Sequence, residues 1–159
     1  MPTQNISNTD DVIDVRDIID RFEELRDELT ERHDEGGFMT EFDDWIDHSR
    51  DHSEPIHAAW PEDGADVQSD IEELYKMREL LNDLRGNGGD HQWEGHWFPV
   101  TLIRDSYFEE YAQELAEDCG MVNKDQSWPN NCIDWGRAAR ELLVDYTSIE
   151  FDGVTYHTR

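Results

Sequence analysis

Apolar residues recur at alternating steps of three and four from Val15 through Ile18, Phe22 and Leu25 to Leu29. That period is one helical seam, so an amphipathic helix is predicted over residues 10–34. At 1.5 Å per residue it would be roughly 37 Å long, and Gly36-Gly37 supplies its end. Residues 67–85 repeat the pattern with Val67, Ile71, Leu74, Leu81 and Leu84 on one side. Two helices with single seams need partners, either each other in a hairpin or a second copy across a homodimer interface. Between them the pattern breaks down. Thr40 with Asp43 resembles a capping arrangement for a short helix through Trp45 and Ile46, and His48, His52, Pro55 and Pro61 suggest a loop-rich insertion at residues 36–66.

After Gly86, Gly88 and Gly89 the pattern changes character. The run FPVTLI at 98–103 reads as a strand, and Asp105 or Ser106 as the cap of a helix ended by Gly120. That helix would turn Phe108, Ala112, Leu115 and Cys119 inward and Glu110, Glu114 and Glu117 outward. Asp134 opens a further helix carrying Ala138, Ala139, Leu142 and Leu143. Asp152-Gly153 between β-rich flanks is a type I′ hairpin signal. The expected fold is α+β: an acidic helical hairpin arm in residues 1–90, then a compact unit in 91–159 with a three-stranded antiparallel sheet and two helices.

Charge changes the picture most. Forty Asp and Glu against thirteen Lys and Arg give a formal net charge of −27. Residues 1–90 hold 27 acids and 8 bases, residues 91–159 only 13 and 5. Phosphate affinity comes from cationic side chains, so neither nucleic acid nor an anionic membrane is an expected partner. No apolar run approaches the ~20 residues that cross a bilayer. The start MPTQNISNTDD lacks the basic and apolar regions of a signal peptide. Two cysteines, Cys119 and Cys132, are too few for a disulfide framework. A cytoplasmic setting (the host's, on the reading below) with reduced thiols is the expectation.

The acids are ordered on the first helix. Opposite its seam gather Asp17, Asp20, Glu24, Asp27, Glu28 and Glu31, a ladder of negative charge interrupted by Arg16. Arg21 and Arg32 are spaced to pair with Asp17 and Glu28 at i,i+4. Glu72, Glu79 and Asp83 point outward from the second helix. Carboxylates this close repel one another, and duplex DNA presents ordered negative charge in a comparable way. Two other accounts stand beside mimicry. One is an ordinary solvated face. The other is a high-salt origin, which suits 22 Asp, 18 Glu and only two lysines, Lys76 and Lys124, beside eleven Arg.

Other chemistry is sparser. His48 and His52 lie one helical turn apart near Asp44, Asp47 and Asp51, and His91, Glu94 and His96 form a second cluster. Neither has the spacing of a metal motif. Cys119 belongs to an apolar helix face, which implies inert burial. No nucleophile elbow, phosphate-binding glycine loop or catalytic triad is recognisable, so neither catalysis nor a cofactor is expected. Trp93, Trp97, Trp128 and Trp135 are expected in the core or at the domain joint.

The segments Ile133-Asp134-Trp135, Ala139-Arg140-Glu141-Leu142, Asp145-Tyr146 and Gly153 resemble the end of ArdA-type antirestriction proteins. Tyr107–Gly120 is similar to small phage proteins grouped with them. The resemblance covers the last third of the chain. It implies a phage- or plasmid-encoded DNA mimic that occupies the DNA site of a type I restriction–modification enzyme. The same charge would suit the groove of a CRISPR effector. A halophilic structural or interaction protein and a hydrolase are the readings from other classes.

Overall fold

The structure is a computed structural model and describes residues 6–123 and 127–159. In chain order the elements are β1 (Val12–Asp14), α1 (Val15–Gly36), α2 (Phe42–Asp51), α3 (Glu54–Ala59), α4 (Gly64–Leu84), β2 (His91–Trp93), β3 (His96–Phe98), β4 (Thr101–Arg104), α5 (Phe108–Asp118), α6 (Trp135–Leu142), β5 (Thr147–Phe151) and β6 (Val154–Thr158). The class is α+β. The chain forms two compact units: Arg16–Asp83 is one, and Ile6–Val15 with Leu84–Arg159 is the other.

The first unit is helical. The seam of α1 is buried at Ile18, Ile19, Phe22, Leu25 and Leu29, and α4 buries Val67, Ile71, Leu74, Met77, Leu80 and Leu81. The two helices run antiparallel: Arg21 near the start of α1 pairs with Glu73, and Arg32 near its end with Asp63. The expected short helix through Trp45 and Ile46 forms as α2, and the stretch after it, expected to be loop-rich, carries α3 as well. Trp45, Ile46, Ser49 and Ile56 are buried on α2 and α3, helices too short to show a clear period. Pro55 sits in the first turn of α3, where its missing N–H costs nothing. The N-cap of α2 is Glu41 and makes no side-chain capping bond, so the Thr40–Asp43 arrangement does not form. The join of α1 to α2 is organised by His33, whose Nε2 donates to the Thr40 carbonyl at 2.8 Å. Phe38, Phe42 and Trp45 surround its ring at 5.2–6.0 Å.

The second unit is built on a four-stranded antiparallel sheet in the order β1-β4-β6-β5. The expected sheet had three strands. The fourth is Val12–Asp14, which pairs with Thr101–Ile103 of β4 and lies in the stretch expected to begin the first helix. Val12 and Ile13 are β-branched and suit a strand, and long-range pairing decides the outcome there. The Tyr156 hydroxyl donates to the Asp10 carbonyl at 2.7 Å and fastens this segment further.

The run at 98–103 is also not one strand. Phe98 closes the separate hairpin β2–β3 and Thr101 opens β4, with Pro99, which has no N–H to give a ladder, between them. Neither Asp105 nor Ser106 caps α5. Both lie in a short 3₁₀ turn ahead of it, Asp105–Tyr107, which has no side-chain cap. Asp134 does cap α6, accepting from the Arg137 N–H at 3.1 Å. The β5–β6 turn forms at Asp152-Gly153, both with positive φ (49° and 79°), as a type I′ turn requires. Ile103, Phe108, Ala112 and Ala139 form a buried cluster, against which Tyr107, Tyr111, Leu142, Leu143 and Tyr146 pack. Burial, then a hydrogen bond with Tyr111, pushes the Tyr146 phenol up to about 12.

Candidate functional site

Because the apolar seam of α1 is buried against α4, its opposite face meets solvent. Asp17, Asp20, Asp27, Glu28 and Glu31 are exposed there. They span about 21 Å of axis at 1.5 Å per residue. Among the described residues no ion pair reaches any of the five. Glu24 leaves the ladder: it is half-buried and held by Arg21 at 2.7 Å. Arg21 binds Glu73 as well, at 2.8 Å, so the expected Arg21–Asp17 pair is replaced by one that crosses to α4. Arg32 likewise turns to Asp63, at 3.9 Å, rather than to Glu28. An arginine beside a packed seam reaches across the helix interface as easily as along its own helix, and periodicity alone does not distinguish the two.

On α4, Glu72, Glu79 and Asp83 are exposed as expected. Glu28, Glu31, Glu35 and Asp70 surround a cleft of about 340 Å³, with Leu29 and Arg32 also in its wall. Partial burial, then the nearby Glu28 charge, pushes the Asp70 carboxyl above the usual carboxylate range. A few acids elsewhere in this unit are matched by arginines. Arg78 pairs with Asp47 and approaches Asp43, and both Arg50 and Arg78 lie over the Tyr75 ring, at 4.1 and 5.0 Å.

In the second unit, Glu110 and Glu114 are exposed on α5 and Glu117 is half-buried. The Tyr107 hydroxyl donates to Glu114 at 2.8 Å, and this bond to a carboxylate pushes the phenol up to about 12. Cys119 and Cys132 are both exposed free thiols, so the burial expected for Cys119 is corrected. It falls at the C-cap of α5, past the buried turns. The tryptophans expected inside are partly outside: Trp97 is 50% and Trp128 78% exposed. Trp45, on the expected short helix α2, is the buried one.

The rings of His48 and His52 lie 4.6 Å apart, whereas His91 and His96 lie on separate strands of the β2–β3 hairpin. Among the described residues no three His, Cys, Asp or Glu side chains gather as a metal ion would need. Among the same residues, no helix is long and apolar enough to cross a bilayer.

One constellation went unread in the sequence. His157 of β6 is buried, with Nδ1 at 2.9 Å from Ser148 Oγ and Nε2 at 2.7 Å from Asp105 Oδ1. The first contact had a signal, since a two-residue turn at Asp152-Gly153 sets Ser148 opposite His157. Asp105 arrives from beyond β4, and local sequence carries no trace of that.

No protein family, curated protein or solved structure matches this chain.

Proposed function

We propose that the protein is an anti-defence inhibitor that mimics the charge of DNA and occupies the DNA groove of a host restriction–modification enzyme. The observation that carries this reading is the exposed, internally unneutralised row Asp17, Asp20, Asp27, Glu28 and Glu31 on α1. The row sits on a helix whose other side is anchored by a buried seam. Such a row keeps its spacing without a partner, and like-charge repulsion is the standing cost of retaining it. A groove lined with Lys and Arg would relieve that cost while steering the two proteins together. The resemblance of the last third to antirestriction proteins favours a type I enzyme as target; a CRISPR effector offers the same kind of groove. Inhibition here is by occupancy and requires no turnover.

The test is affinity capture from a host lysate at low salt. Recovery of a DNA-cleaving or DNA-modifying enzyme that duplex DNA displaces is the expected result. Recovery of metabolic enzymes alone overturns the reading. A high-salt origin is separated by unfolding measurements. A protein adapted to molar salt loses its structure as salt is withdrawn, because screening is what suppresses the repulsion, whereas a mimic stays folded at 0.1 M.

A further inference from the structure

Ser148, His157 and Asp105 meet through two short hydrogen bonds in the second unit. We propose that Ser148 is a nucleophile activated by His157, with Asp105 positioning the imidazole, and that it accepts acyl groups from small uncharged carboxylic esters.

The direction of the two bonds follows from donor chemistry. An ionised carboxylate only accepts, so the imidazole nitrogen facing Asp105, Nε2, carries the proton. A neutral imidazole has one N–H, which leaves the Nδ1 lone pair facing Ser148. The serine hydroxyl therefore donates to Nδ1, as a general base requires. The more familiar arrangement uses the ring nitrogens the other way round, but either nitrogen can take a proton while the other holds one.

The elements fix each group. Ser148 and His157 are cross-strand partners on β5 and β6, and β5 is an edge strand of the sheet. His157 is only 5% exposed, with the Phe108 ring edge-on at 5.3 Å. The base is thus locked in one orientation while Ser148 itself is exposed to a substrate. Asp105 is anchored directly after β4, whose Ile103 pairs with His157.

In the acylation step Ser148 Oγ bonds to the ester carbonyl carbon and its proton passes to Nδ1 of His157. The bond from that carbon to the alkoxy oxygen then breaks, and the leaving alcohol takes the proton from Nδ1. Solvent water repeats the sequence on the acyl-serine, releasing the carboxylic acid and restoring the hydroxyl. The net charge of −27 repels anionic esters, and a small uncharged ester meets no such barrier.

The experiment treats the full chain with a fluorophosphonate probe, which bonds phosphorus to a nucleophilic oxygen and expels fluoride, and with p-nitrophenyl acetate. The expected result is one adduct per chain at Ser148, lost in Ser148→Ala. His157→Gln should slow labelling by about 100-fold or more, the usual scale of general-base catalysis. Asp105→Asn should slow it too, with partial recovery in Asp105→Glu. Nitrogen-15 NMR of His157 reads the tautomer without any mutation, and Nε2–H is expected. Absence of an adduct, an adduct that survives Ser148→Ala, labelling of Ser148 at an unchanged rate in folded His157→Gln, or an Nδ1–H tautomer would each overturn the assignment. None of these outcomes bears on the acidic row of α1 that carries the DNA-mimic reading, which lies in the other unit.

Discussion

The Arg21 guanidinium takes two carboxylates at once, Glu24 on its own helix and Glu73 on α4. The bond to Glu73 contributes most to holding its pKa above the ordinary value. Arg21→Gln leaves two half-buried acids facing each other. The expected loss of stability is about 1 kcal/mol, the upper part of the range for pairs this accessible to water, and it should shrink in high salt. Urea unfolding at two ionic strengths measures it. Asp70 works in the opposite sense. Its carboxyl is raised by partial burial and by Glu28, so the folded chain binds that proton more readily than the unfolded chain. Stability from this site is therefore lost as pH rises from the unfolded carboxylate range through the folded one. Asp70→Asn should raise the melting temperature at pH 7 and flatten its decline between acidic and neutral pH, with a gain below about 1 kcal/mol at this exposure. A variant that melts lower at neutral pH would refute this. Neither partner set was legible beforehand, since both depend on the packing of α1 against α4.

At the scale of elements, the seam of α1 was legible and its first residues were not. Residues 15–29 have enough period to specify a helix and the face it buries. Residues 12–14 have local properties compatible with either state, and pairing with β4 makes them a strand. Leu25 is fully buried in the seam, so Leu25→Ala should cost about 2–5 kcal/mol through lost transfer energy and the cavity left behind. The α6 cap offers a finer test. Asp134→Ala removes the acceptor for the Arg137 N–H and should cost about 1 kcal/mol. Thermal unfolding of both variants should show the first loss well above the second.

For the whole molecule the governing quantity is summed charge. Neutralising one exposed carboxylate changes little, because an exposed pair is worth about 0–1 kcal/mol. Replacing Asp17, Asp20, Asp27, Glu28 and Glu31 together with Asn or Gln should leave the fold intact or more stable, since repulsion is relieved. Association with the target should slow steeply and lose much of its salt dependence, because steering follows the total field. Stopped-flow association rates across a salt series decide it; a folded variant with unchanged salt dependence would reduce the row to solvent decoration. The wild-type chain should give no mobility shift with duplex or single-stranded DNA at micromolar protein and ~0.1 M salt, where screening is only moderate. Oligomeric state belongs to the same scale. With α1 and α4 covering each other's seams, light scattering should return the mass of one chain.

By itself the sequence determined what short-range periodicity and composition can carry. These are the two long amphipathic helices, the α6 cap, the Asp152-Gly153 hairpin and an acidic face opposite the α1 seam. Each is written within a few residues of itself, so local chemistry suffices. Tertiary structure decided whatever needs a partner distant along the chain. It recruited Val12–Asp14 to the sheet, turned Arg21 and Arg32 across to Glu73 and Asp63 outside α1, and left Trp97 and Trp128 outside. It also carried Asp105 to His157, across 52 residues. Contacts of that separation arise only once strand order is set, and strand order is a property of the whole sheet rather than of any segment in it.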